Sequence, residues 1–154
     1  MIIGVAMIVV ALLMWAGERF SRREEGLGQV TFPDSIVVGA AQAFAVIPGV
    51  SRSGVTMTAG LFRNMTRETA ARFSFLLSTP LIAGAALKKG LEIRHEGLPT
   101  EMKLPFVVGI VVSGLVGYVV IAWLIRYLER RTFRVFIVYR LALGVVVILW
   151  GLRS

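Results

Sequence analysis

Nine consecutive residues, Pro48-Gly49-Val50-Ser51-Arg52-Ser53-Gly54-Val55-Thr56, gather an arginine, three hydroxyls and two glycines between two apolar stretches. No Asp or Glu lies within fifteen residues of Arg52 on either side. A planar guanidinium matches the oxygens of a phosphate with two parallel hydrogen bonds. The Ser51, Ser53 and Thr56 hydroxyls can donate to further oxygens. Gly49 and Gly54 free the backbone, so that successive amides can converge at the start of a following helix, where an anion is favoured. These parts suit an oxyanion with several oxygens. The other reading is architectural. Arg52 would tie down the break by donating to carbonyls freed at Pro48, and the hydroxyls would bond back to helix carbonyls.

The elements that must position this segment are apolar. Hydrophobic residues make up 56% of the 154-residue chain and charged residues 17%. An ordinary soluble domain carries about 45–50% and about 25%, so these values argue against a soluble enzyme and against disorder. With no cysteine, disulfide frameworks and thiolate metal sites are excluded. A single histidine, His95, leaves no histidine cluster and argues against a Ser-His-Asp triad. The net charge of +8 is spread over separate loops rather than gathered on one face, which fits a membrane surface better than nucleic acid.

Residues 1–17 are apolar without a break and read as a spanning helix whose beginning is expected upstream of Met1. They lack the basic lead-in and small-residue cleavage site of a signal peptide. Residues 18–33 are polar, and Asp34 is expected to cap the next helix. The apolar stretch 35–47 would be about 20 Å long as a helix, too short to span, and it ends at the helix-breaking Pro48-Gly49. A second short helix over 54–62 completes a re-entrant hairpin that enters from one side, turns at mid-depth and leaves by the same side. Thr66 should cap a helix running to about Leu87 and kinked at Pro80, with Glu68 in its first turn. Lys88 to Lys103 reads as a polar loop holding His95. Residues 104–125 and 135–151 read as the last two spans. Gly109, Ser113 and Gly117 recur every four residues, a face on which another helix can pack closely.

The expected fold is therefore all-α and polytopic, one membrane domain over 1–154 with about four spans and a re-entrant pair. The side holding 18–33 then collects nine arginines: 19, 22, 23, 63, 67, 126, 130, 131 and 134. The other side collects Lys88, Lys89, Arg94, Lys103 and Arg153. Basic residues favour the cytoplasm, so the arginine-rich side is placed there. A fully spanning helix in place of the hairpin would reverse the later assignments. Arg72 and Arg140, near or within spans, are left open as members of the site.

The string PGVSRSGVT resembles the PG-x-SRSG-x-T signature of the undecaprenyl-diphosphate phosphatases, the bacterial membrane enzymes also called bacitracin-resistance proteins. The flanks are similar as well: Asp34-Ser35, Gly39, Ala41-Gln42-Ala43 and Ile47-Pro48 before it, and Ala70 to Ser78 with Pro80 after it. The resemblance implies hydrolysis of undecaprenyl diphosphate to the monophosphate plus inorganic phosphate, which recycles the lipid carrier for cell-wall synthesis. It implies a fold of two inverted repeats in the bacterial plasma membrane, each with a re-entrant pair, and a site open to the outer face. Carried over by position, Arg52 would grip the phosphates, Ser51 and Thr56 would be catalytic or binding residues, and Ser53, Gly54 and Gly49 would line the substrate. A divalent cation, Mg²⁺ or Ca²⁺, is implied by the resemblance alone.

The chain departs from the family in one respect. The family's glutamate motif with a nearby histidine belongs to its N-terminal half. Here the one Glu-x-x-x-Glu is Glu92 and Glu96 flanking His95, which reads as a solvated helix-end pair. The chain thus resembles the C-terminal half, with a missing N-terminal half or a second copy as expected partners. Two mechanisms stay open: a serine nucleophile, for which no base is in sight, or water positioned by acidic groups from the other half. The rival functions are a transporter or flippase, and a non-catalytic half-protein that binds an anionic lipid.

Overall fold

The computed structural model describes residues 1–97 and 99–152. The described residues form six α-helices: α1 (Ile2–Phe20), α2 (Phe32–Gln42), α3 (Arg52–Phe62), α4 (Arg67–Glu96), α5 (Thr100–Arg130) and α6 (Arg134–Gly151). Helices α1, α4, α5 and α6 are long and apolar enough to cross a membrane. The chain is an all-α polytopic membrane protein. Two expectations lie outside the described residues: the side chain of Glu96, and Arg153 with its place on the second side.

Helix α2 starts at a capping box. The Asp34 amide donates to Thr31 Oγ1 at 3.4 Å, and the Thr31 amide donates back to Asp34 Oδ2 at 2.9 Å. The cap is therefore Thr31, and Asp34 is the third helical residue. Pro33 fits in the first turn because an amide there has no helical partner. Beyond Gln42 the chain tightens into a 3₁₀ turn over Ala43–Val46, then breaks, and α3 begins at Arg52, two residues earlier than the sequence suggested. Its far end lies beside the end of α1. The amides of Glu24 and Glu25 donate to the Asn64 carbonyl at 3.0 and 3.1 Å, and the Thr66 amide donates to Glu25 O at 3.0 Å. The pair thus leaves by the side it entered, so it is re-entrant and not a span.

The turn is deeper than mid-membrane. Gly49 packs on the backbone of Ile3, at the opposite end of α1 from Phe20. The descending arm is long enough because eleven α-helical residues at 1.5 Å are followed by four 3₁₀ residues at about 2.0 Å, roughly 24 Å together.

Thr66 caps α4 as expected, accepting from the Thr69 amide at 3.1 Å. Residues 88–96 and 100–103 are helical, not loop. Helix α4 runs on to Glu96 and α5 starts at Thr100, so both stand beyond the bilayer, at about 45 Å of rise each against a hydrocarbon core of about 30 Å. Lys89 and Lys88 meet Glu92 at 3.0 and 4.0 Å, which supports a solvated helical turn. His95 is exposed on the same end.

At the arginine-rich side Glu18 draws three elements together. Its carboxylate accepts from Arg23 at 3.0 Å, from Arg67, and from the Phe133 amide at 2.8 Å, joining the end of α1 to the starts of α4 and α6. Below this knot Met14, Met57, Leu61, Leu128, Phe133 and Ile137 form the main core. Helices α1 and α6 run antiparallel in close contact at Gly4 and Gly144, where a Cβ on Gly4 would stand 2.7 Å from the Gly144 carbonyl. The small-residue contact is thus between α1 and α6. Among the described residues nothing comes within 4 Å of a Cβ placed on Gly109 or Gly117, and Ser113 bonds to its own helix at Ile110 O.

Candidate phosphate site at the hairpin tip

The turn from Ile47 to Ser51 is held in a conformation few residues adopt. Gly49 has φ of 94° and Ser51, unusually for a residue with a Cβ, φ of 21°. Gly49 is also confined by space, since a Cβ there would stand 2.5 Å from Ile3 O. Ser51 caps α3: its Oγ accepts from the Gly54 amide at 3.3 Å and lies 3.4 Å from Ser53 Oγ. The first amides of α3 lack intrahelical partners and face the turn, so the tip carries the positive end of a helix.

Arg52, the first residue of α3, is exposed and has neither a carboxylate nor a hydrogen-bonding partner for its side chain among the described residues. It lines a groove of about 380 Å³ with Gly39, Gln42, Val46 and Leu81. The buried Oε1 of Gln42 is also without a partner. Arg52 does not tie down the helix break.

Arg140 of α6 does that instead. Its Nη2 donates to the Gly49 carbonyl at 2.9 Å, and its Nη1 lies 2.9 Å from where a Gly54 Cβ would be. A side chain at position 54 would therefore push the Arg140 guanidinium aside. Arg140 is only 8% exposed, and its buried Nε has no partner. It lines a second cavity, of about 110 Å³, with Ser51, Ser53, Gly54 and the rings of Phe75 and Phe136. Arg52 and Gly54 are about 200° apart around the helix, so the two guanidiniums flank the tip from different faces. Sequence reasoning leaves Arg140 undecided. The usable signal is an arginine set among apolar residues of a span, which must find a polar partner.

The other candidates separate. Ser51, Ser53, Gly49 and Gly54 all belong to the tip. Thr56 does not open to either cavity. It is 1% exposed, and its hydroxyl donates to Arg52 O at 2.9 Å and lies 2.6 Å from Ser74 Oγ of α4. It locks α3 to α4 behind the tip. Arg72 pairs with Glu68 at 2.6 Å and stays out of the site. Asp34, at the surface end of α2, is 2% exposed and accepts from Arg63 Nε at 2.5 Å. Hydrogen bonds from Thr31, and then Arg63, lower its pKa from 3.8 to about 2.

The described residues do not fit a divalent cation. No three His, Cys, Asp or Glu side chains converge among them, and no carboxylate lines either cavity.

A family model described as "Bacitracin resistance protein BacA" matches residues 1–146, the tip included. The chain belongs to this family. It is 47% identical over 143 residues to a protein named undecaprenyl-diphosphatase from Thermomicrobium roseum, covering 93% of this chain and 51% of that one. A namesake from Pelotomaculum thermopropionicum is 45% identical, with 96% and 54% covered, and one from Pelobacter propionicus 43%, with 100% and 58% covered. The chain spans about half the length of the curated relatives it matches.

Proposed function

We propose that this chain supplies the phosphate-gripping part of a membrane phosphatase that hydrolyses undecaprenyl diphosphate to undecaprenyl phosphate and inorganic phosphate, recycling the carrier lipid for cell-wall synthesis. The observation that carries this is Arg52: a guanidinium at the positive start of a helix, deep in a membrane protein, with no carboxylate among the described residues to neutralise it. The names of the relatives agree.

In the reaction water attacks the terminal phosphorus, the anhydride bond breaks, and the lipid monophosphate leaves. Arg52 and the first amides of α3 hold the phosphate oxygens and offset the charge that builds on them in the transition state. Ser51 and Ser53 line the other cavity, with Arg140, and not the Arg52 groove. Serine attack is disfavoured because no base lies near either hydroxyl among the lining residues. Groups that orient the water, and the carboxylates a cation would require, enter from polypeptide outside the described residues, another half or a second copy.

The lipid chain has an apolar path. A groove of about 660 Å³ runs between α1 and the hairpin, lined by Val5, Val9, Phe44, Ile47, Val55 and Phe62. Opening to the outer face of a bacterial plasma membrane is supported by the depth of the tip. It lies at the end of α1 remote from the arginine-rich loops, and those loops favour the cytoplasm.

The test is binding of undecaprenyl diphosphate to the purified chain in detergent, with release of inorganic phosphate followed in parallel. Binding that falls at least tenfold in Arg52→Ala is expected. Equal binding by the two proteins overturns the proposal, and movement of intact lipid diphosphate across vesicles without phosphate release would favour a flippase.

A further inference from the structure

The small cavity on the Arg140 face is a built site, and no carboxylate among the described residues lines it to neutralise its charge. Arg140 is nine-tenths buried and lies inside a span, where an arginine without an anionic partner is strongly disfavoured. A guanidinium has five N–H donors. The one hydrogen bond found for this side chain goes to a neutral carbonyl, that of Gly49, and the buried Nε has no partner. The remaining walls are Met14, Met57, Leu124 and the rings of Phe75, Phe133 and Phe136, with two hydroxyls, Ser51 and Ser53, at one end. Aromatic and aliphatic walls lower the local dielectric, which strengthens attraction to an anion. At about 110 Å³ the space matches a few waters of about 30 Å³ each, the scale of one phosphate group and too little for a lipid chain.

We propose that this cavity is a second oxyanion subsite, in which Arg140 with the Ser51 and Ser53 hydroxyls binds one phosphate group on the opposite face of the tip from Arg52. The proposal rests on the phosphatase reading and adds to it. With a cation on each face, the tip holds the two phosphates of a diphosphate separately, or retains the released phosphate after cleavage. The clamp on Gly49 and the anion contact use different nitrogens of Arg140, so one residue both shapes the turn and binds at it.

The test uses the purified full chain in detergent and two probes, inorganic phosphate and undecaprenyl diphosphate, with binding read by phosphorus NMR titration. Arg140→Gln should weaken inorganic phosphate at least tenfold, and Arg140→Lys should recover part of the loss. If Arg140→Gln weakens the lipid diphosphate as well, the subsite takes a substrate phosphoryl group. If only inorganic phosphate is affected, it takes the product. Either supports the subsite. No phosphate binding by the unaltered chain, or binding indifferent to Arg140→Gln, overturns it. Should lipid diphosphate binding in that case still depend on Arg52, the proposed function stands without the subsite. Arg140→Gln also removes the clamp on Gly49, so Ser53→Ala, which leaves that clamp intact, decides if the first variant does not fold. A severalfold loss of phosphate binding in Ser53→Ala is expected, and none overturns the subsite.

Discussion

A guanidinium in a membrane protein has to answer to something, and the two arginines of the tip answer differently. Arg52 faces a groove with no acid, so its planar fork is available to a ligand. Arg52→Lys is expected to reduce undecaprenyl diphosphate binding at least tenfold, because a single ammonium cannot make the paired bonds. Near-equal binding by the lysine variant would count against two-point contact. Gly49 has a left-handed φ of 94° and sits 2.5 Å, by its missing Cβ, from Ile3 O. Gly49→Ala should therefore lose about 1–3 kcal/mol to strain, read as a lowered unfolding midpoint in detergent. Gly84→Ala, in a helix with nothing within 4 Å, should leave the midpoint unchanged or raise it. The sequence exposes Arg52, Ser51 and the glycines because their meaning lies in nine adjacent residues. Arg140 stays undecided there because its contact with Gly49 crosses 91 positions of chain. Thr56 reads as facing the ligand because spacing alone does not show which side of a short helix meets α4.

Element boundaries follow the same logic. The hairpin is legible because thirteen apolar residues ending at Pro-Gly are too short to cross, and Thr66 is legible as a cap. The depth of the turn is not, since it depends on a 3₁₀ stretch that apolar composition does not encode. Nor is the continuation of α4 over 88–96, where exposed Lys-Glu pairs support the helix without any apolar pattern. The hairpin is moored at its surface end by Asp34, held between Thr31 and Arg63. Its pKa is depressed, from 3.8 to about 2, so its contribution is complete above pH 3.8 and is lost as pH falls toward 2. Proteolysis near Arg63 in micelles should accelerate across that window, and Asp34→Asn should already be cleaved faster at pH 7, with little further change on acidification. An unaltered cleavage rate in the Asp34→Asn variant at pH 7 would remove Asp34 from the mooring. Between spans, Gly144→Val should lower the unfolding midpoint, because its side chain would meet Ile8 and the Gly4 backbone at about 3 Å. Gly109→Val on α5 should not, as nothing within the described chain approaches it.

At the scale of the whole molecule, three features line up along the membrane normal. The arginine-rich loops and the Glu18 knot lie at one end, the tip lies at the level of Ile3 toward the other, and the end of α4 projects beyond it. If the basic loops are cytoplasmic, the tip is reached from outside, the face from which the proposed lipid diphosphate would enter. The absence of cysteine makes this directly measurable with single introduced cysteines. Gly28→Cys reports the arginine-rich side and Gly90→Cys the far end of α4, and both leave every basic residue in place. Neither position has a neighbour within 4 Å of its Cβ. Pro48→Cys reports the tip, where Pro48 is exposed. A membrane-impermeant maleimide applied to intact bacterial protoplasts should label the cysteines at 90 and 48, and that at 28 only after permeabilisation. Labelling at 28 alone, with 48 and 90 protected, would turn the molecule over and place the tip on the cytoplasmic side. Labelling at 90 alone would keep the orientation and close the outer route to Arg52.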